Sequence, residues 1–430
     1  MAKLTYPVYS NDCGWNAMLP KRAPRPRLDR DVRVDHAVVG AGYTGAAIAR
    51  RLSELRPDAE IIVLEASTVG EGSSGRNSGF TSPNVMPSDV SAEAVRKANR
   101  QSELLGDAFR WMEAALLEKG VDCDLKNVGF FRGAATETGE ASLRQIVEIA
   151  KATGIEHTAL TRDDLAERIG SSYYRFGMQV GGYLLQPAAL IRGLIDTLPA
   201  GIVLHENTPV VKLERTHGEW VLTTPGGVVR AASVVLATNG FIPRLGYLGL
   251  RMATIYTYAA VTRAVVDTEL EHLGEASSWG LLPAHRLGTT LRRIGRDRLM
   301  VRSLYAHEQE VPNDLAVRQL RDRFERRWPQ LRHVEFEYVW GGTTAFTMNG
   351  APWWGKLQDG LFASGGCNGG GITKGIMLGR HLAEYMLGIG DPTLIPKIMG
   401  TASLIVPEPF RSIGFHAVSM IESRKAGLEA

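Results

Sequence analysis

At 430 residues the chain can bury a large core and should hold two domains, or one domain with a major insertion. A charged fraction of 22% and a hydrophobic fraction of 44% describe an ordinary globular protein, and a formal charge of +3 is too small at this length to argue for nucleic acid or membrane surface. Cys13, Cys123 and Cys367 are too few and too scattered for a disulfide framework or a zinc site, and no apolar run of about 18 residues is present. The expected setting is a reducing cytoplasm, with no nucleic-acid partner and no membrane contact.

In chain order, residues 1–33 read as a polar extension whose Pro/Arg-rich piece, 20–27, runs extended over the surface. Val34 and Ala37-Val-Val39 then feed as a strand into Gly40-Ala-Gly42-Tyr-Thr-Gly45. At this spacing the first glycine permits a tight turn, the second lets backbone approach a pyrophosphate, and the third lets a helix lie close to the strand. That helix offers free N–H groups and its positive dipole end to phosphate. A carboxylate is wanted about 20 residues on, at the end of the next strand, to take ribose hydroxyls, and Glu60-Ile-Ile-Val-Leu-Glu65 supplies Glu65. The same carboxylate argues against NADP, whose extra phosphate it would repel.

The loop 70–80 is too glycine-rich for regular structure, and Leu105, Ala108, Phe109, Met112 and Leu116 predict a helix over 92–119. A strand over 128–132 and a helix over 139–153 follow. Thr161-Arg-Asp-Asp164 resembles a capping box, and Pro187 and Pro199 bracket another helix. Residues 202–238 read as a β-meander with a hairpin turn at Gly226-Gly227. From 250 to 337 further strands surround a helix whose basic run, Arg318 to Arg327, reads as its wet face. Ser364-Gly-Gly-Cys-Asn-Gly-Gly-Gly-Ile-Thr-Lys374 then leads into a helix through Gly379 and Tyr385.

Nucleotide-type glycine loops thus stand at both ends of the chain with a β-rich portion between them. The expected fold is α/β: a Rossmann-like nucleotide domain built from 34–125, 155–250 and 338–400, and an inserted antiparallel domain from 126–154 and 251–337. Residues 401–430 form a C-terminal helical tail. The domain junction is where a ligand belongs.

Taken together, Gly40 to Gly45 with Glu65, Gly75-Arg-Asn-Ser-Gly79, Thr208-Pro-Val210, Ala237-Thr-Asn239, Trp340-Gly-Gly342 and Gly366-Cys-Asn-Gly-Gly-Gly371 with Gly379 resemble the D-amino-acid oxidase family of FAD-dependent oxidoreductases. The resemblance covers nearly the whole chain and extends to its glycine oxidase, sarcosine oxidase and γ-glutamylputrescine oxidoreductase group. It implies that Gly40, Gly42, Tyr43, Thr44 and Gly45 hold the FAD pyrophosphate, with Glu65 and Ala66 at the ribose. Val210 would pair with adenine, and Thr238 and Asn239 would close over the nucleotide. Ser73, Ser74, Arg76, Asn77 and Ser78 would pass beside the isoalloxazine, with Gly366, Gly371, Ile372 and Thr373 under its pyrimidine edge.

Two departures from the family pattern matter. Branches with covalent flavin place a cysteine near Gly342, so the resemblance implies non-covalent FAD. Members that oxidise α-amino acids carry an arginine near Thr344, which here cannot clamp a carboxylate, and Asn349 replaces an acidic residue. Either the substrate is an amine lacking an α-carboxylate or another arginine has taken over, with Arg302 the best candidate and a structural ion pair its other reading. Tyr258 and Trp340 could line an aromatic cage for a cationic amine, or simply pack. His307, beside Glu308 and Glu310, reads as a surface residue. The reaction expected is hydride loss from a C–N carbon of an amine or amino acid to flavin N5, giving an imine that hydrolyses, with dioxygen or another acceptor taking the electrons. The competing readings are an NAD-dependent dehydrogenase and a flavoprotein whose FAD is not catalytic.

Overall fold

Ala37, Val38 and Val39 are buried on both faces, as a central parallel strand requires. In the computed structural model, which describes residues 4–430, Val32–Val39 pairs in parallel with Ile61–Leu64 on one side and Gly227–Leu236 on the other. The sheet runs on through Ile202–His205 at one edge, and through Leu361–Gly365 and the antiparallel Trp353–Gln358 at the other. Lys212–Thr216 and Glu219–Thr224 extend it as an antiparallel arm. The meander is therefore shorter than its sequence suggests. Ile202–His205 leaves it for a parallel pairing, and Thr224 pairs with Gly227, placing the turn at Pro225 and Gly226.

Helices Tyr43–Leu55, Ala92–Glu118, Pro187–Asp196 and Ile372–Met386 cover one face of this sheet, where Ile48, Leu52, Phe109, Ile191, Ile376 and Leu382 pack on Val38 and Val63. Two glycines let the first and last of them touch. A Cβ on Gly379 would lie 2.5 Å from Thr44 O, and one on Gly375 would lie 3.0 Å from Thr44 Oγ1. The two distant glycine-rich segments thereby form one structural unit.

The second sheet has the order Phe336–Phe346, Ala253–Thr262, Arg298–His307, Thr290–Ile294, Gly280–Pro283, Phe130–Ala134, Phe176–Val180, His157–Leu160. His157–Leu160, Phe176–Val180 and Phe336–Phe346 from Tyr338 onward lie in segments that the sequence reading gave to the nucleotide domain. Those boundaries move, because a strand's pattern of apolar residues shows that it pairs but not with which sheet. Helix Asn313–Arg327 lies on this sheet through Ala316, Leu320 and Phe324, against Leu299 and Val301. Arg327 is a correction to the wet face. It is 1% exposed, and its Nε donates to Tyr174 Oη at 3.0 Å while Nη2 donates to Glu429 O at 3.1 Å.

The N-terminal extension is fixed by buried Glu206, whose carboxylate accepts from Arg22 Nη1 at 2.7 Å and from the backbone N–H of Arg25. At the other end, helix Phe410–Ala426 and the turn Gly427–Glu429 return to the second sheet. The mixed α/β class is as the sequence implies. Among the described residues no helix is long and apolar enough to cross a membrane.

Candidate active site

A cavity of about 970 Å³ runs from the Gly40 loop, past the 72–79 loop, to the face of the second sheet. At its first end Gly40 turns at φ +100°, a backbone conformation that a side chain would strain. Gly42 caps helix Tyr43–Leu55, and a Cβ there would stand 2.8 Å from Ser74 Oγ. Glu65 closes the end of its strand, with Oε2 accepting from Ala41 N at 2.9 Å and Oε1 from Ser67 N at 3.1 Å. Burial raises its pKa above the usual carboxylate range, against the pull of those two N–H groups. Val210 and Ala66 border the cavity, but Val210 O already accepts from Thr5 Oγ1 at 2.7 Å. Thr238 Oγ1 is buried beside it with no hydrogen-bond partner. An orphaned hydroxyl, a side-chain-free turn and a helix N-terminus together fit a dinucleotide.

The middle of the cavity is the 72–79 loop. Ser73–Arg76 forms one helical turn rather than a fully irregular loop. Ser74 Oγ accepts from Tyr43 N at 3.1 Å, Ser73 Oγ meets Thr343 Oγ1 at 2.8 Å, and Asn77 Nδ2 donates to Ser74 O at 2.8 Å. Arg76 departs from expectation. Although it borders the cavity, its guanidinium donates to Glu71, Asn11 and Gly341 and lies 3.9 Å over the Tyr9 ring, so its charge braces the loop rather than facing a ligand. Ser78 lines the cavity and its carbonyl accepts from Arg292.

Opposite stands the N-terminus of Ile372–Met386, with Gly371 at its cap and no side chain capping it. Gly371, Ile372 and Lys374 line the cavity. Thr373 faces away, meeting Thr81 Oγ1 at 2.7 Å on the wall of a second cavity of about 320 Å³. Gly366 also lies off the cavity, its N–H donating to Asn239 Oδ1 at 3.0 Å. Gly45 is packed behind the loop, where a Cβ would fall 1.9 Å from Gly40 O.

At the far end Arg302, Tyr258, Thr344 and Tyr305 line the cavity. Arg302 Nη1 donates to Tyr305 Oη at 2.8 Å, and among the described residues no carboxylate pairs with it. Its ion-pair reading therefore fails. Its neighbours are matched: Arg286 meets Glu422 at 2.8 Å, and Arg411 meets Glu308 at 3.2 Å. Trp340 is a second correction. It is 1% exposed in a cluster with Trp15, Cys13 and Met300 and does not reach the cavity, because its side of the strand faces the helix Gly14–Ala17. Tyr258 reaches it, with Oη accepting from Val311 N at 2.6 Å. His307 is half-buried rather than fully exposed. It lines the cavity, stacks on Phe415 at 5.0 Å, and has a pKa lowered by burial. Its Nε2 is buried without a hydrogen-bond partner, and Nδ1 lies 3.4 Å from Ser412 Oγ.

Two contributors escaped the sequence reading. Thr5, Tyr6 and Pro7 wall the nucleotide end, and Phe415, Val418 and Glu422 of the last helix roof the other. Neither segment carries a motif. The one available signal was apolar residues at helical spacing in 410–421.

The family model described as FAD dependent oxidoreductase matches residues 35–385. The chain is 26% identical over 395 residues to the probable oxidoreductase OrdL of Rhizobium meliloti, covering 89% of this chain and 90% of that protein. It is 26% identical over 390 residues to the γ-glutamylputrescine oxidoreductase of Escherichia coli, covering 86% and 87%. The crystal structure of glycine oxidase from Geobacillus kaustophilus superposes with a TM-score of 0.73 at 22% identity, over 87% of this chain and 100% of that one.

Proposed function

Since the chain belongs to the FAD dependent oxidoreductase family and is a flavoenzyme of the amine and amino-acid oxidase kind, we propose that it oxidises the C–N bond of a small amine or amino acid that carries a carboxylate. The family sets aside the nicotinamide-dependent and non-catalytic readings. The observation that carries the proposal is Arg302, a guanidinium in the cavity wall with a hydroxyl partner and no acid.

Bound FAD supplies the acceptor for hydride from the carbon next to nitrogen, leaving an imine that water hydrolyses. Gly40, Gly42, Thr44 and Glu65 would hold its nucleotide half, with Thr238 Oγ1 finding there the partner it lacks. The first turn of Ile372–Met386 would offer free N–H groups to the electron-rich edge of the ring system. Gly342 stands where covalent branches carry cysteine, so FAD is held non-covalently, and acid precipitation of the protein should leave the flavin in solution. Arg302 docks the substrate carboxylate, oriented by Tyr305, and Phe415 and Val418 exclude water above it. The chemistry asks for orientation and a neutral amine more than for a dedicated base.

The test is an anaerobic panel of amines and amino acids scored by flavin bleaching, followed by Arg302→Met on the best substrate. A charged hydrogen bond is worth about 1.5–3 kcal/mol, so kcat/KM should fall roughly ten- to hundredfold for a carboxylated substrate and hardly at all for its uncharged amide. Equal losses for both would overturn the docking role. Oxygen uptake in the aerobic reaction distinguishes dioxygen from another electron acceptor.

A further inference from the structure

The second cavity, of about 320 Å³, shares a wall with the first but not a mouth. Phe80, Thr81, Ser82, Gly370, Ile372 and Lys374 border both spaces, so a single layer of residues divides them. That layer joins the stretch 80–82 to the first turn of Ile372–Met386, where Thr81 Oγ1 meets Thr373 Oγ1 at 2.7 Å. The same helix turn is the one assigned above to the ring end of the cofactor.

The rest of the lining comes from elsewhere. Helix Ala92–Glu118 supplies Gln101 and Leu105, and Met399 closes the space from the short helix Leu394–Met399. Val85 completes it, its N–H donating to Ser102 Oγ at 2.9 Å. Exposed Gly350 and Gly370 also border the cavity, and a Cβ on either would meet nothing within 4 Å, so the space is open to solvent there. The main cavity instead lies under Phe415, Val418 and Glu422 of the last helix. Among the described residues, none of 400–430 borders the second one.

This separation matters for a reaction in two stages. A substrate held under that roof, or the product it leaves, obstructs the main mouth, and the second reactant needs another way in. A path one residue layer thick, lined by Val85, Leu105, Ile372 and Met399, favours a small neutral molecule over a hydrated ion or polar metabolite, which would lose water there. We propose that the second cavity is a binding and entry site for dioxygen, by which it reaches the reduced flavin while the main cavity is occupied. Dioxygen takes two electrons and two protons from the reduced flavin, its double bond becomes single as two O–H bonds form, and hydrogen peroxide leaves. The proposal rests on the flavin that the family carries and not on the carboxylated substrate.

Crystals of the flavin-loaded protein pressurised with xenon should hold the gas in the second cavity, because xenon occupies apolar voids of this kind. In solution the flavin is reduced by light and a sacrificial donor, with no substrate present, and then mixed with buffer of increasing oxygen content while its absorbance returns. Val85→Trp should fill the cavity, displace the xenon and lower the second-order reoxidation constant severalfold, whereas Val85→Ala should hold or raise it. Met399→Trp fills the same space from another element and serves where the first variant does not fold. Flavin content and circular dichroism identify the folded variants. Xenon absent from the cavity of the parent protein overturns the proposal. So does reoxidation no faster than that of free reduced FAD, or a reoxidation constant unchanged in a folded variant that has lost the xenon.

Discussion

Arg292 shows how a single buried side chain can organise a functional loop. It is 1% exposed, and its Nη1 donates to Leu185 O and, at 3.1 Å, to Ser78 O. Burial lowers its pKa to about 10, which still leaves it charged at neutral pH. Beside it Gly79 sits at φ +73°, where a Cβ would lie 2.1 Å from Arg292 Nη1 and 2.2 Å from Leu185 O. Arg292→Met strands these carbonyls and should cost about 1–3 kcal/mol, read as a lower Tm and weaker FAD binding by fluorescence titration. Unchanged FAD affinity would separate the residue from the loop. Glu269 gives a pH signature of its own. Bidentate hydrogen bonds from Arg263, both 2.9 Å, with further contacts from Val266 N and His333, hold its carboxyl at about 2 against an ordinary value of 4.5. A depressed acid contributes stability that is complete above the unfolded pKa and lost as pH falls through the folded one. The window is therefore about pH 4.5 down to 2, and Glu269→Gln should flatten the denaturation midpoint across it. A variant whose midpoint falls as steeply as the parent's would assign the acid sensitivity elsewhere.

At the scale of elements, the contact between Tyr43–Leu55 and Ile372–Met386 is what brings the two glycine-rich segments to one cavity. Gly379→Leu places carbon where Thr44 O stands, 2.5 Å from the glycine's Cβ position, and must push the helices apart. FAD affinity should fall more than tenfold while far-UV circular dichroism is preserved, and an unaltered Kd would show that the gap can absorb the side chain. This level also marks how far the sequence could be read. The Gly40 loop, the capping box of Thr161 and Asp164, and the start at Pro187 were legible because each is satisfied by neighbours in the chain. Phe336–Phe346 and Phe176–Val180 carried no such local signal for their sheet, since pairing is decided by partners far away in sequence. Trp340 failed for the same reason. Its neighbours Trp15 and Met300 come from other elements, and no local pattern says which side of a strand meets a ligand. Arg76 was expected beside the isoalloxazine with the rest of its loop, and the hold that Asn11 and Gly341 have on its guanidinium was not legible because both are likewise remote.

For the whole molecule, the last helix spans the cavity mouth along the second sheet. One end is held by Arg411, which pairs with Glu308 at 3.2 Å and donates to Gly249 O at 2.9 Å. The other end is held by Glu429, which is 1% exposed and whose Oε1 accepts from Ala135 N at 2.8 Å and from Thr136 N and Oγ1 at 3.0 Å. Between these anchors Phe415 lies on His307, and Glu422 meets Arg286 over the cavity. Access to the interior therefore depends on two small polar clusters rather than on a broad apolar interface, as expected of an element that opens locally without global unfolding. Glu429→Ala leaves the N–H groups of Ala135 and Thr136 without their acceptor, at about 1–3 kcal/mol, and that cost falls on docking of the helix rather than on either sheet. Amide exchange across 410–426 should quicken, limited proteolysis should cut there first, and KM should rise as the roof over the substrate end loosens. Exchange that quickens uniformly across both sheets would instead make Glu429 a support of the global fold.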